Sequence, residues 1–414
     1  MIDINYLREK SEELKSAVAA KQLDPTLVDT TLELDKKWRE KLQKVEELRK
    51  ERNTLSKAYS SENIEKAKSL KEELKKLEEE LANLEQDYKK VLYQIPNPAK
   101  SDVKVGKNDT ENDVVRKWGE PTTFDFEPKD HLDLGEKLEI IDVQRASKVS
   151  GTRFAYLKGD AVLLEFAIVN FAMETLLKEG FVPVIPPTLI TKESMKGMGY
   201  MEHGGEEDMY VLEKDDMVLV GTSEQSIGPM HKDEVLNIKD KPLRYVGFSS
   251  CFRREAGSYG KDTKGIIRVH QFDKVEMFSF TTAENADTEH EYLLSLEEKF
   301  LQSLALPYQV IKMCTGDLGL PAARKYDLEA WIPSQNKYRE LTSTSTVTDF
   351  QARRLNIKYQ DKGETKYAHM LNGTAFAIGR TIVAIMENYQ QKDGSIIIPE
   401  VLRKWVGKDK IEKK

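Results

Sequence analysis

The chain has 414 residues, a net charge of −7 and two cysteines, and charged residues make up 33% of it. This length favours two domains and excludes a single small binding module. No stretch approaches the roughly 18 apolar residues of a membrane-spanning helix, and Met1–Asn5 does not resemble the start of a signal peptide. Cys251 and Cys314 are too few for a disulfide framework. We therefore expect a cytoplasmic protein with no membrane segment, in which any nucleic-acid site is a local concentration of basic residues.

The first hundred residues have the apolar periodicity of helices. Asp3 is a good N-cap for a helix over residues 4–20, and Asp24-Pro25 is typical of the start of a longer one. Apolar residues then recur at helical and heptad spacing, at Leu34, Trp38, Leu42, Val45, Leu48 and Leu55 and at Leu70, Leu74, Leu77, Leu81, Leu84, Tyr88 and Val91. The polar stretch 59–63 predicts a turn between these runs. Two long helices should therefore form an antiparallel coiled coil.

This predicted arm ends before Pro96 and Pro98, which cannot continue a helix. A helix of about 30 residues extends roughly 45 Å, so the arm would project from a compact body. Residues 27–93 contain as many Lys and Arg as Asp and Glu by direct count, and charge runs of this kind are often only solvated helix faces. Two interpretations stay open: a spacer or oligomerisation coiled coil, or an arm that contacts the phosphates of a large partner.

The remainder of the chain has a mixed pattern of helices and strands. Residues 161–179 predict a helix that ends at Gly180, and the proline-containing segment 181–187 can only be extended. Apolar and aromatic runs at 245–248 and 277–280 predict strands. We expect an α+β body of about 300 residues, since the arm accounts for the first hundred.

The chain contains no GxxxxGK[ST], GxGxxG or HExxH motif. Charged residues and glycines that could form a binding site are concentrated instead in residues 248–280. One strand ends near residue 252 and a second begins at Arg268. The loop between them contains Gly257, Gly260 and Gly265. A hairpin of this kind would bring Arg253 and Arg268 together beside the carboxylates of Glu255 and Glu276, which suits an anionic ligand such as a nucleotide. The alternative is a surface hairpin with ordinary ion pairs.

Three segments in and after this stretch resemble motifs 2 and 3 of the class II aminoacyl-tRNA synthetases, and specifically of the seryl-tRNA synthetases. They are FRREAGS, RVHQFDKVE and LNGTAFAIGRT. Other segments resemble that family in the same order, among them VSGTRFAYLKGDAVLLE, GFVPVIPPTLI, GTSEQ and ELTSTSTVTDFQARRL. The resemblance implies a tRNA-binding coiled-coil arm over residues 1–100 and a catalytic domain over 101–414. That domain would be an antiparallel β-sheet flanked by helices. It also implies a homodimer, with 181–187 similar to motif 1 and a candidate for part of the interface.

The activity implied by the resemblance joins L-serine and ATP into seryl-adenylate and then transfers the seryl group to tRNA-Ser, and also to tRNA-Sec. Magnesium would accompany ATP. The implied catalytic residues are Arg253, Glu255 and Arg380. The implied ATP-binding residues are Arg253, Arg254, Glu255, Val269, Phe272, Glu340, Leu341, Thr342, Ser343 and Arg380, of which Glu340 and Ser343 would also contact the metal. The implied serine-binding residues are Thr222, Ser223, Glu224, Glu276 and Thr374.

The chain departs from the family pattern at several positions. Thr374-Ala375-Phe376 replaces the commoner Ser-Gly-Leu, Gly221 stands where proline is usual, and 344–347 lacks the cysteines often found there. The bulk of Phe376 could change the shape of the pocket, and the missing proline could make its loop less rigid. Phe272 and Phe376 could also be core residues, since aromatic side chains at strand spacing often pack inward. Two alternative functions are an amino-acid carrier-protein ligase and a non-catalytic coiled-coil relative. The long arm argues against the first, since such ligases lack it, and the intact motifs argue against the second.

Overall fold

The computed structural model describes residues 1–55, 61–256 and 264–413, which form two compact units, Met1–Pro98 and Ala99–Lys414. The first residues of the predicted turn at 59–63, and Gly257 and Gly260 of the predicted loop, lie outside these ranges. Within them, no helix combines the length and apolar character needed to cross a membrane.

The N-terminal unit consists of helices. They are α1 (Ile4–Glu9), α2 (Ser11–Ala20), α3 (Thr26–Leu55) and α4 (Ser61–Leu92). The prediction of one continuous helix over residues 4–20 was wrong, because Lys10 has a non-helical φ of −130° and ψ of 40°. The predicted caps are present: the carboxylate of Asp3 accepts from the N–H of Asn5 at 2.7 Å, and that of Asp24 accepts from the N–H of Thr26 at 2.9 Å. Residues 61–63, expected in the turn, belong to α4.

Helices α3 and α4 pack against each other in antiparallel orientation. The rings of Trp38 and Tyr88 stack with centroids 6.2 Å apart. Further along the pair, Lys41 lies 2.6 Å from Glu80 and Arg49 lies 2.8 Å from Glu78. The predicted apolar positions of both helices are buried or half-buried along this seam. Their packing follows from the heptad spacing, since one apolar stripe on each helix must be covered.

The second unit contains both helices and strands. Its helices are α5 (His131–Lys137), α6 (Val143–Ser150), α7 (Asp160–Lys178), α8 (Lys192–Met198), α9 (Glu224–Ile227), α10 (Ala286–Ser303), α11 (Phe350–Leu355), α12 (Ile378–Asn388) and α13 (Arg403–Val406). Its strands are β1 (Asp113–Trp118), β2 (Ile141–Asp142), β3 (Tyr156–Leu157), β4 (Val182–Val184), β5 (Leu189–Thr191), β6 (Val211–Leu212), β7 (Met217–Leu219), β8 (Val235–Leu236), β9 (Leu243–Phe252), β10 (Gln271–Thr281), β11 (Tyr308–Lys312), β12 (Arg324–Ile332), β13 (Lys337–Thr346), β14 (Lys358–Asp361), β15 (Glu364–Tyr367), β16 (His369–Ala377), β17 (Ile396–Ile397) and β18 (Lys410–Ile411).

The central feature of this unit is an eight-stranded sheet in the order β1-β11-β12-β13-β16-β10-β9-β4. Its neighbouring strands are antiparallel except for β4, which runs parallel to β9. Helices α7, α10 and α12 pack against the sheet and share one apolar core with it. The predicted α+β fold, an antiparallel sheet flanked by helices with a separate helical N-terminal region, is confirmed.

A β-bulge interrupts the pairing of β10 with β16. Val275 lies opposite Phe376, whereas the next residue, Glu276, lies opposite Thr374, so Ala375 is the extra residue. Residues two apart on a strand normally share a face. Because the bulge adds a residue between them, Thr374 and Phe376 face opposite sides of the sheet, the first toward a cavity and the second into the core.

Candidate active site

A cavity of about 420 Å³ lies over the sheet where β10, β13 and β16 are neighbours. It also receives residues from the segment before α9, from the ends of the β9–β10 hairpin and from the start of α12. Its lining includes most of the residues expected at the site, namely Thr222, Glu224, Arg253, Glu255, Val269, Phe272, Glu276, Glu340, Leu341, Thr342, Ser343, Thr374 and Arg380. Segments far apart in the chain therefore meet at one place.

Ser223 and Arg254, also expected at the site, are not part of this lining. The Ser223 hydroxyl is buried against that of Ser249, 2.8 Å away. Arg254 is exposed, with its guanidinium 5.6 Å from the centroid of the Tyr210 ring, and its main-chain N–H donates to the carbonyl of Asp208. Both residues contact segments that border the cavity.

Arg253 lies at the end of β9, where its N–H donates to the carbonyl of His270 on the opposite arm of the hairpin. Its Nε donates to the carbonyl of Gly221 at 3.2 Å, and the guanidinium carbon lies 5.3 Å from the centroid of the Phe272 ring. Phe272 is half-buried and lines the cavity, so it is not simply a core residue. The cation and the ring face together form one wall of the site.

The second arginine of the hairpin, Arg268, forms an ion pair with Glu255. Both line the cavity, and Glu255 adopts a positive φ of 54°, a conformation that is uncommon for residues other than glycine. The hairpin thus carries two guanidiniums into the same cavity, as expected from its sequence.

Arg380 approaches the cavity from the first turn of α12. Its Nη1 donates to both the side-chain carboxylate and the carbonyl oxygen of Glu340, each at 3.0 Å, and its Nε donates to the carbonyl of Ile267 at 3.4 Å. Burial alone would raise the pKa of Glu340, but the charges of Arg380, Lys325 and then Arg253 outweigh it and lower that pKa to about 2. Glu340 is therefore ionised at neutral pH.

At the other end of the cavity, Glu276 is paired with Lys274. The ammonium of Lys274 lies 2.6 Å from the carboxylate of Glu276, and the Thr374 hydroxyl donates to the same carboxylate oxygen at 3.1 Å. The cation nearest Glu276 is thus not an arginine of the hairpin but a lysine two residues earlier on the same face of β10. That spacing of two could have identified Lys274 from the sequence.

A second carboxylate, Glu224, lies at this end. It accepts from the hydroxyl of Tyr200 at 2.7 Å and from the amide of Gln351 at 3.3 Å. Burial raises the pKa of Glu224, and the negative charge of Glu276 raises it further. Tyr200 lies in none of the segments that resemble the family, and Gln351 lies in ELTSTSTVTDFQARRL but had no expected role there. Both side chains reach Glu224 only through tertiary packing.

Two of the departures from the family pattern have structural explanations. The N–H of Gly221 donates to the side-chain oxygen of Gln225 at 2.7 Å, a bond that proline could not make. Phe376 is fully buried, with its ring centroid 4.9 Å from that of Phe300 and 6.1 Å from that of Phe171. The concern that Phe376 alters the shape of the cavity was wrong, because the bulge directs it to the core.

Comparison with known proteins agrees with this geometry. Residues 1–99 match the family model for the seryl-tRNA synthetase N-terminal domain, and residues 210–389 match the tRNA synthetase class II core domain (G, H, P, S and T). Serine–tRNA ligases from Dictyoglomus thermophilum and Acidothermus cellulolyticus are 47% and 48% identical, each covering all of both chains.

Solved structures give the same result. Seryl-tRNA synthetase from Pyrococcus horikoshii complexed with ATP is 40% identical over all of both chains, with a TM-score of 0.92. The cytoplasmic serine–tRNA ligase of Naegleria fowleri in complex with AMP is 36% identical over 100% of this chain and 99% of that one, with a TM-score of 0.89. On the strength of these full-length similarities, the chain belongs to the seryl-tRNA synthetases, within class II of the aminoacyl-tRNA synthetases.

Proposed function

We propose that this protein is a serine–tRNA ligase that activates L-serine with ATP and then esterifies the 3′ end of tRNA-Ser. The observation that carries the proposal is the division of one cavity into two ends. Arginines gather at one end, and a carboxylate with a hydroxyl gathers at the other. An anionic nucleotide suits the first end, and a small amino acid with an ammonium and a hydroxyl suits the second.

At the nucleotide end, the chemical difficulty is the approach of a carboxylate to an α-phosphate, since the two anions repel each other. Arg253 would hold positive charge over that phosphate and stabilise the charge that develops in the transition state. Phe272 would stack under adenine, Glu255 would hold the nucleotide through hydrogen bonds, and Arg380 would contact the γ-phosphate. Val269, Leu341 and Thr342 would complete the walls of this end.

Magnesium fits the donors available here. Glu340 is ionised and lines the cavity with Ser343, and hard divalent cations prefer carboxylate and hydroxyl oxygens. Across the described ranges, no group of three His, Cys, Asp or Glu could hold a metal ion. We expect the ion to arrive with ATP, where it neutralises phosphate charge.

At the amino-acid end, Glu276 would accept the ammonium of serine, and Lys274 would hold that carboxylate in place from 2.6 Å away. Thr374, Thr222 and Glu224 would surround the hydroxyl of the substrate. A buried site built to pair a hydroxyl rejects alanine, because its polar groups would then be left without partners. Rejection of threonine would be steric, since Thr374 lines the cavity and carries one methyl group more than the serine common at this position.

The N-terminal helices would contact the tRNA, including tRNA-Sec, and the active protein would be a cytoplasmic homodimer. Exposed apolar side chains support the dimer: Ile185 is 87% exposed and Phe166 is 54% exposed, together with Val182 and Leu163 in the same stretch of chain. If these side chains form one patch, that patch is a candidate dimer interface, since contiguous exposed apolar surface often marks a protein interface.

The test is pyrophosphate exchange with each proteinogenic amino acid, followed by charging of total tRNA with radiolabelled serine. We expect exchange with serine alone and a charged product that carries a serine anticodon. A carrier-protein ligase would activate an amino acid but leave tRNA uncharged. A protein that supports neither step would contradict the proposal.

A further inference from the structure

His131, outside the cavity, connects three parts of the catalytic unit. It is the first residue of α5 and only 4% exposed. Its Nδ1 lies 3.1 Å from the carboxylate of Glu387 on α12, and its Nε2 accepts from the N–H of Ile266 at 3.2 Å. Ile266 lies just before β10, so one imidazole joins α5, α12 and the second arm of the β9–β10 hairpin.

The hydrogen bonds determine the tautomer of this ring. An N–H that donates to Nε2 requires a lone pair there, so the proton resides on Nδ1 and is donated to Glu387. Glu387 is fully buried, and it also accepts from the main-chain N–H groups of His131 and Ser334, each at 3.1 Å. The carboxylate is thus held by three donors, and the imidazole that it orients has a fixed direction.

The fit around this ring is tight. Gly265 has a φ of +77°, and a Cβ at this position would lie 2.0 Å from His131 Nε2. No residue with a side chain could occupy that place without displacing the imidazole. The chain therefore approaches the ring closely enough for its next residue, Ile266, to donate to it.

The segment held in this way forms part of the cavity. Ile266 and Ile267 both line it, and the carbonyl of Ile267 accepts from Nε of Arg380. A displacement of Ile266 would also move the carbonyl of the next residue, Ile267, which accepts from Arg380. The ion pair between Arg380 and Glu340 would then shift as well. His131 itself does not reach the lining in the part of the chain that the structure describes.

We propose that His131 is a positioning residue for the ATP end of the site, acting through Ile266 and Ile267 on Arg380. The inference rests on the proposed function for the assignment of that end to ATP. It concerns one hydrogen bond: the bond that the Ile266 N–H donates to Nε2. Loss of that bond should weaken ATP binding without altering the serine end, which shares none of these contacts.

Two conservative variants separate the roles of the two ring nitrogens. In His131→Gln the amide oxygen can replace Nε2 as an acceptor for Ile266, whereas in His131→Asn the shorter amide can replace only Nδ1 as a donor to Glu387. We expect His131→Asn to raise the KM for ATP about tenfold, the factor typical of one missing hydrogen bond to a buried group, and to leave the KM for serine within about twofold. His131→Gln should stay closer to the wild type.

The matched control is His231→Ala. His231 also bridges a glutamate and a second group, Glu234 and the hydroxyl of Tyr245, but it lies outside the cavity lining. Its KM for ATP should equal that of the wild type. Amide hydrogen exchange at Ile266 supplies a readout independent of catalysis: it should accelerate in His131→Asn and remain slow in His131→Gln and His231→Ala.

The proposal is overturned if both His131 variants keep the wild-type KM for ATP, if either raises the KM for serine equally, or if Asn and Gln variants cannot be distinguished. Failure of the proposed function has a different signature, because wild-type protein would then give no serine-dependent exchange. In that case calorimetric titration with ATP and the exchange of the Ile266 amide still decide whether His131 positions this segment.

Discussion

The ammonium of Lys274 lies 2.6 Å from the carboxylate of Glu276, and both side chains are less than 10% exposed in the wall of the cavity. A buried pair of this kind costs several kcal/mol to break, because removal of one partner leaves the other charge uncompensated. Serine would therefore bring its ammonium to a carboxylate that already has one cation. Because two cations would then share one carboxylate, serine binding should depend strongly on the negative charge of Glu276.

Glu276→Gln should raise the KM for serine by roughly 10- to 100-fold, since a charge-assisted bond of about 1.5–3 kcal/mol is removed and Lys274 then repels the substrate. The KM for ATP should change little. Pyrophosphate exchange with each substrate varied in turn measures both. Equal increases would place Glu276 in a structural network common to the whole cavity.

Arg253→Ala should reduce serine-dependent pyrophosphate exchange by about 10²–10³, the loss of about 3–4 kcal/mol of transition-state stabilisation. Arg254→Ala provides a matched control, because this neighbouring arginine is exposed and directed at Tyr210. It should retain activity, and circular dichroism should show both variants folded. Arg253→Ala with nearly full activity would exclude Arg253 from the chemical step.

Phe376→Ala should cost about 3–5 kcal/mol of stability, because the side chain is fully buried between two other aromatic rings. Thermal unfolding measures this loss. The folded fraction should keep the wild-type KM for serine, since Phe376 faces away from the cavity. A change in amino-acid specificity without a loss of stability would contradict the core assignment.

Glu165→Gln should remove a pH dependence of stability. Burial, followed by the hydrogen bond and charge of Asp273, raises the pKa of Glu165 to about 8. In the unfolded chain this pKa is about 4.3, so the folded state binds the proton more tightly, and stability falls as pH rises from about 4 to about 8. The midpoint of thermal unfolding should therefore decrease between about pH 5 and pH 8.5 more in the wild type than in Glu165→Gln. Parallel curves would show that Glu165 is ionised throughout.

Shortening the N-terminal helical pair tests its part in tRNA binding. Deletion of residues 46–79, with a short Gly-Ser linker, retains the Trp38–Tyr88 stack and the Lys41–Glu80 ion pair. Serine activation should persist because the cavity lies wholly in the other unit. Charging of tRNA-Ser should fall, and the log–log salt slope of tRNA binding should decrease by roughly 0.7–0.9 for each tRNA phosphate that the deleted helices would have bound. Undiminished charging would support the spacer interpretation.

The sequence predicted those elements whose pattern is local. Helix α7 and its end at Gly180, the pairing of β9 with β10, and the two long N-terminal helices all follow from periodicity and chain breakers within short windows. The break at Lys10 was missed because nothing in its neighbours forbids a helix. The caps at Asp3 and Asp24 were predictable, since each bonds an N–H two residues away.

The positions of side chains around the cavity were less predictable wherever two segments distant in sequence meet. Alternation along β16 places Thr374 and Phe376 on one face, and only the pairing with β10 reveals the extra residue between them. Tyr200 reaches Glu224 from a separate segment, and His131 reaches Glu387 across more than half of the catalytic unit. Such contacts depend on tertiary packing, for which a single sequence carries no periodic signal.

The strand order has a consequence for synthesis of the chain. Strand β16 lies between β13 and β10, yet it is made after every other strand of the eight-stranded sheet. Until it leaves the ribosome, β13 and β10 each present an open edge of unpaired backbone groups, the kind of edge that pairs readily with other chains. Before β16 is made, the strands of this sheet can pair only as two separate groups, β1-β11-β12-β13 and β10-β9-β4. We expect the insertion of β16 between them to complete the sheet and to bring Thr374 to the cavity. The chain should therefore be most prone to aggregation after β13 has been made and before β16 has been made, when the two edges cannot yet be joined.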